Sequence, residues 1–136
     1  MTHNMGHVTH VIGQRMLQTL LGSSGSEKVL MFIAARGEGY AREISRFSGM
    51  GLYPVQRQLD RLEVGGILVS RSAGRTRLYS FNPEYLLLDE LKGILDKALT
   101  YYPEEERERL LRNRRRPGRM TQAELAAYVQ EHLRQR

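Results

Sequence analysis

The sequence of 136 residues contains no cysteine. That absence excludes disulfides, thiolate zinc sites, iron–sulfur clusters and cysteine redox switches. No apolar run approaches the roughly 18 residues of a membrane-spanning helix, and the first residues lack the charged flank and apolar stretch of a secretory signal. We therefore expect one cytoplasmic domain, with part of the length left as a solvated tail.

Catalytic and cofactor motifs are also missing. There is no Gly-rich phosphate loop and no nucleophile elbow, so we expect no enzymatic activity and no cofactor. Three of the four histidines, His3, His7 and His10, share a helical spacing at the start of the chain and could bind zinc or nickel. Weak helix formers surround them and no thiolate or carboxylate is near, which favours an ordinary chain terminus.

The formal net charge is +6, with a pI near 10.0, which suits a polyanionic partner or an anionic membrane surface. Residues 36–81 contain no lysine and carry eight arginines against four acidic residues. Arginine offers a planar fork that fits phosphates and guanine edges. A bias in genomic base composition would produce the same excess of arginine. The arginines are Arg36, Arg42, Arg46, Arg57, Arg61, Arg71, Arg75 and Arg77.

The pattern of residues 40–63 predicts two helices joined by a tight turn. The first helix covers 40–47, Gly49 supplies the left-handed backbone of the turn, and the second helix covers 52–63. Pro54 is tolerated only in a first turn, so the second helix must begin near Leu52 or Tyr53. Two helices arranged in this way form a helix-turn-helix, whose second helix fits the DNA major groove.

The second helix of this pair presents a candidate base-reading face. Its apolar spacing buries Val55, Leu59 and Leu62 and leaves the other face outside the core. Arginine can bond guanine, glutamine can bond adenine, and apolar atoms can touch thymine methyl groups. An ordinary solvated helix face is the alternative. The residues left outside include Leu52, Tyr53, Gln56, Arg57 and Arg61.

Two strand-like runs, 67–71 and 76–81, follow and predict a β-hairpin about Ala73-Gly74. Arg71, Arg75 and Arg77 cluster at its tip, where they suit phosphate or minor-groove contact. Isolated arginines at such a tip would otherwise protect the sheet edge or increase solubility. The expected fold is mainly α with a small β wing, a winged helix-turn-helix with flanking helices.

The flanking segments complete the predicted organisation. Residues 1–22 carry a short helix, a further helix capped by Ser26 runs from Glu27 to about Arg36, and 23–82 form the winged domain. The apolar stripe of residues 85–102 is wider than a small domain can bury alone, so we expect a dimerisation helix over 83–102; the alternative is a helix that folds back over its own domain. Residues 103–136 are a charged linker followed by an amphipathic helix, opened by the Thr121–Glu124 capping box, that could dock a protein partner.

Several motifs resemble the winged helix-turn-helix superfamily, and the fit is closest to its ArsR-like branch. They are Tyr40-Ala41-Arg42-Glu43-Ile44, the run 55–63 (VQRQLDRLE), Gly66-Ile67-Leu68, and the wing 74–79 (GRTRLY) followed by Asn82-Pro83. The resemblance covers about residues 20–100. It implies a homodimeric DNA-binding repressor, with base contacts from Tyr53, Gln56 and Arg57 and backbone contacts from Arg42 and the wing arginines.

The chain departs from this resemblance in three places, one of which is the tail after Tyr102, which lies outside the common domain. Gly51 stands where the family commonly has a Ser or Thr N-cap. The metal-sensing residue sets of the ArsR branch are missing, so the resemblance identifies no inducer. Two functions remain: a sequence-specific regulator that binds double-stranded DNA, or a winged-helix protein-interaction module such as an antitoxin-like or scaffold subunit.

Overall fold

The structure, a computed structural model, describes residues 17–112 and Gln130. Residues 17–21 are helical, and they are followed by five helices and three strands. In chain order these are α1 (Ser24–Arg36), β1 (Glu38–Tyr40), α2 (Ala41–Ser48), α3 (Leu52–Val64), β2 (Leu68–Ala73), β3 (Thr76–Phe81), α4 (Leu88–Leu99) and α5 (Glu104–Arg112). The expected fold class, mainly helical with a small β wing, is confirmed.

Helix α1 forms the centre of the core. Val29, Leu30, Phe32 and Ile33 are all fully buried, because the helix packs against α3, α4, α5 and the sheet. A helix that is apolar on nearly every side is stable only in such an enclosed position. It begins three residues earlier than the sequence indicates: Ser23 is the N-cap, and its side chain accepts a hydrogen bond from the backbone N–H of Ser26 at 3.1 Å.

The sheet is antiparallel, with the strand order β1-β3-β2. Strand β1 was not predicted, because Gly37 and Gly39 indicate only the end of a helix. Gly39 pairs with Tyr79 and lies against the ring of Phe32, where an added Cβ would be 2.7 Å from Phe32 Cε1. Glycine at this position therefore lets the strand approach the central helix.

Helix α4 is shorter than the predicted helix of residues 83–102. Residues 83–87 form turns instead, because the Asn82 side chain donates to the Gly66 carbonyl and accepts from the N–H of Glu84, both at 2.9 Å. Leu95 and Ala98 pack into the core. The expected wide apolar stripe is thus divided, and part of it covers the chain's own domain.

The prediction of a linker from residue 103 is wrong over 104–112. Helix α5 occupies that segment, and its Leu110 side chain is buried against the core. The segment has few apolar residues, so its sequence does not predict a packed helix. Hydrogen bonds from Arg36 to two of its backbone carbonyls help to hold it against the domain. The rest of the proposed linker, the Thr121–Glu124 capping box and the three terminal histidines lie outside the described residues. The proposed division of the chain into four segments stays a prediction.

Candidate nucleic-acid interface

The α2–α3 turn sets the position of the predicted base-reading helix. Gly49 has φ +77°, in the left-handed region, and the Ser45 hydroxyl donates to the Met50 carbonyl at 2.6 Å. The N–H of Met50 in turn donates to the Ser48 hydroxyl at 3.2 Å. These hydrogen bonds connect the end of α2 to the residues that precede α3, so they stabilise the conformation of the turn.

Helix α3 begins at Leu52, as Pro54 predicts, and Gly51 is its N-cap without a side-chain hydrogen bond. The N-cap side chain usually accepts from the N–H of the second or third helical residue. Pro54 is the third residue and has no N–H, so a serine at position 51 would find only the N–H of Tyr53. The first turn is therefore left open to an external acceptor, the arrangement that favours anions at helix N-termini.

Helix α3 has the two faces that its sequence predicts. Val55, Leu59 and Leu62 are buried, whereas Tyr53, Gln56 and Arg57 are exposed. The Arg57 guanidinium lies 5.8 Å from the centroid of the Tyr53 ring, so the two side chains form one stacked pair on the leading turns. Leu52, predicted to be exposed, is half-buried.

Arg61 follows Arg57 by one turn of α3, but its side chain is held by partners within the domain. Its Nε donates to Gln58 Oε1 at 3.2 Å, and its Nη2 donates to the hydroxyl of Ser26. The buried Ser26 also donates to Gln58 Oε1, at 2.9 Å. Arg61 thus connects α3 to the start of α1, which is a structural role that the sequence did not indicate.

The wing arginines are not equivalent. Gly74, at φ +66°, opens the two-residue turn between Ala73 and Thr76, and Arg75 is exposed at its tip. Arg71 forms a 3.7 Å ion pair with Glu38 of β1. Arg77 Nε donates to the Ser70 hydroxyl at 2.9 Å, and that hydroxyl donates to Glu63 of α3.

Arg42 lies on the exposed face of α2, one turn before Arg46. Both arginines line a shallow depression of about 530 Å³ between α2 and the wing, with Tyr40, Glu43, Phe47 and Thr76. Glu43 accepts from the N–H of Tyr40 at 3.3 Å and lies 4.0 Å from Arg36, so its charge is partly neutralised. This side of the domain therefore offers two cations to an anion, and the sequence had indicated only one of them.

Sequence patterns gave no sign of a polar cluster beneath α5. Arg36 is only 8% exposed, and it donates to the backbone carbonyls of Leu110 and Arg109 at 3.1 and 3.0 Å. Its guanidinium also lies over the rings of Phe32 and Phe47. An arginine in the last turn of a helix suits the helix dipole whether or not it is buried, so the sequence alone could not distinguish the two cases.

A second buried pair joins α1 to the segment between α4 and α5. Tyr102 donates its hydroxyl to Glu27 Oε1 at 3.0 Å, and Glu27 is 3% exposed. Burial raises the pKa of Glu27 to about 7, partly opposed by the Tyr102 hydrogen bond and reinforced by Glu106. Burial and the neighbouring Glu27 raise the pKa of Tyr102 as well.

The described residues meet the requirements of neither a three-ligand metal site nor a membrane-spanning helix. No group of three or more His, Cys, Asp or Glu side chains among residues 17–112 could hold a metal ion. None of the described helices is long and apolar enough to cross a membrane.

The comparisons with known proteins support the architecture. No protein-family model and no curated protein matches the sequence. Two solved structures of MarR from E. coli are similar to the chain, the apo wild type and a cysteine-to-serine mutant. Each has a TM-score of 0.52 and 18% sequence identity, and the alignment covers 97% of this chain and 92% of MarR. The similarity gives the ArsR-like branch no support; it shows that the chain has the winged-helix fold.

Proposed function

We propose that the chain is a sequence-specific transcription regulator that binds double-stranded DNA, with α3 in the major groove. One observation supports this most: Tyr53, Gln56 and Arg57 are exposed together on the leading turns of α3. The winged-helix fold, shared with MarR, places such a helix beside a hairpin. Gln56 and Arg57 are residue types that bond adenine and guanine edges in the major groove.

The geometry divides the remaining candidates into two groups. Arg42 and Arg75 are exposed and suit contacts with the phosphate backbone. Arg61, Arg71 and Arg77 have partners within the domain, and we assign them to the positioning of α3 and the wing. Leu52 is half-buried, so only part of its side chain is available to a thymine methyl group.

We further propose that the protein acts as a homodimer. Leu86 is 93% exposed, Leu87 57% and Ile94 43%, which leaves apolar side chains on and before α4 uncovered. Exposed apolar side chains on and beside one helix suit an interface with a second copy, and most homo-oligomers are two-fold dimers. A dimer would bind two half-sites about one helical turn apart.

The regulatory assignments are finer proposals. We propose a repressor, as the sequence motifs imply. The ArsR-like branch rests on those motifs alone, since the similar solved structures are MarR. A reporter gene placed behind the selected DNA site tests the sign of regulation: expression should fall when the protein is present.

Selection from random duplex DNA with the full chain tests the proposed function. We expect an enriched motif with two half-sites about 34 Å apart. Arg57→Ala should reduce discrimination among sequences, whereas Arg75→Ala should weaken all sites alike and reduce the salt slope by about one. Arg112→Ala on α5 removes the same charge and is the matched control. A selection without enrichment, together with unchanged duplex affinity in Arg57→Ala, would contradict the proposal.

The alternative, a protein-interaction module, uses the same exposed apolar residues for a different partner. Leu86 and Leu87 would then contact another protein instead of a second copy of the chain. Stoichiometric co-purification of that protein, combined with no duplex affinity at low salt, would favour this alternative over a DNA-binding dimer.

A further inference from the structure

Phe47 is one residue through which α5 contacts the helix-turn-helix. It lies in the last turn of α2, two residues before the left-handed Gly49. Its ring packs edge-on against Phe32, with 5.5 Å between ring centroids. The guanidinium carbons of Arg36 and Arg109 lie 5.0 and 4.5 Å from the Phe47 centroid, within the range of a cation–π contact. Two cations from different elements therefore hold one ring.

The two arginines depend on the same helix. Arg109 belongs to α5, and it also approaches the Phe47 carbonyl, with Nη2 at 3.5 Å. Arg36 belongs to α1 but donates to the carbonyls of Arg109 and Leu110. These carbonyls belong to the C-terminal part of α5 as the structure describes it. Docking of α5 thus assembles both contacts with Phe47 at once.

Apart from the 4.0 Å pair between Glu43 and Arg36, helix α2 meets the rest of the domain through a small number of side chains. Of its eight residues, Ala41–Ser48, all of which the structure describes, only Ile44 is fully buried. The bonds from Ser45 and to Ser48 connect its end to Met50, so a movement of α2 would carry the start of α3 with it. Because α2 is short and Phe47 lies in its last turn, fixing the Phe47 side chain strongly affects the direction of the helix axis.

We propose that Arg36 and Arg109 are positioning residues for DNA binding, which hold α2 through Phe47 so that docking of α5 sets the orientation of α3. The inference rests on the proposed function. According to this inference, α5 binds the helix-turn-helix of the same chain. It then affects the affinity for duplex DNA without contacting the DNA itself.

A double-mutant cycle in the full chain tests this inference, with Arg109→Ala, Phe47→Leu and the double variant. Arg109 is exposed, so its loss should leave the thermal midpoint nearly unchanged. Arg109→Ala should weaken binding to the selected duplex about two- to fivefold, the value of one exposed cation–π contact, and Phe47→Leu, which removes the contacts of both cations, should weaken it at least as much. The double variant should be no weaker than Phe47→Leu, because both changes remove the same contact.

Salt dependence and hydrogen exchange separate positioning from direct phosphate contact. Arg109→Ala should leave the slope of log K against log salt unchanged, whereas loss of a phosphate contact would reduce it by about one. Amides of α2 should exchange faster in Arg109→Ala, and those of the wing should not. Arg112→Ala, on the same helix, should change neither affinity nor exchange.

Three results would overturn the inference: unchanged affinity in Arg109→Ala, additive effects in the double variant, or a salt slope reduced by about one. These results are distinct from a failure of the proposed function. If the proposed function is wrong, the unmodified chain itself will not bind any duplex. The positioning role of Arg36 and Arg109 in DNA binding is then wrong as well.

Discussion

Glu27 should make the protein less stable as the pH rises toward neutrality. Its carboxyl is buried, with a pKa of about 7 against an ordinary value of 4.5. Below pH 4.5 the group is protonated in both the folded and the unfolded chain. Between these values the unfolded chain releases the proton and the folded chain retains it, so the free energy of unfolding falls with increasing pH. Above pH 7 the loss is complete.

The size of the effect follows from the difference between the two pKa values. Each pKa unit corresponds to about 1.4 kcal/mol, so deprotonation of Glu27 costs the folded protein on the order of 3 kcal/mol. Glu27→Gln removes the titration but keeps an oxygen that can accept from Tyr102. The variant should equal the wild type near pH 4.5 and exceed its stability by about 3 kcal/mol at pH 8.

Urea unfolding followed by circular dichroism at pH 4.5, 6 and 8 measures this difference. Other carboxyl groups also titrate, and subtraction of the wild-type curve from the variant curve removes their contribution. Glu104→Gln, at an exposed position on α5, makes the same chemical change and is the matched control. If the difference between Glu27→Gln and the wild type did not change with pH, or if the variant lost stability at pH 8, the buried carboxyl would not carry the penalty inferred for it.

Three further substitutions probe the fold. Gly39→Ala places a Cβ against Phe32 and should destabilise the protein by about 1–3 kcal/mol in urea unfolding, whereas an unchanged midpoint would show that the ring moves away at little cost. Gly51→Ser should change the free energy of unfolding by less than about 1 kcal/mol, because Pro54 removes one of the usual N–H partners of a cap. Arg36→Ala removes two hydrogen bonds from a buried guanidinium to carbonyls of α5 and should lower the unfolding free energy by about 2–4 kcal/mol, with faster hydrogen exchange in α5 as the local signature.

Local rules predicted much of the helix-turn-helix and the wing. Pro54 located the start of α3, Gly49 and Gly74 marked the two turns, and the spacing of Val55 and Leu59 gave the buried face. Each of these depends on residues within a few positions of one another. The separation of exposed from buried residues on α3 follows from the same spacing.

Contacts between distant residues explain what the sequence did not reveal. Strand β1 exists because β3 lies beside it, and α5 is held by Arg36, more than 70 positions earlier. The partner of Arg61 is Ser26, and the sequence had assigned that serine to a helix cap. In each case the residue types are compatible with several structural environments. The environment is determined by contacts with residues that are distant in the sequence.

The link from Glu63 through Ser70 to Arg77 has a thermodynamic consequence. It ties the last turn of α3 to both strands of the wing before any ligand arrives. Under the proposed function, association with a duplex would then need little ordering of the hairpin, apart from the tip around Arg75. The heat-capacity change on binding should therefore correspond to the apolar surface that the interface buries, without an added contribution from coupled folding.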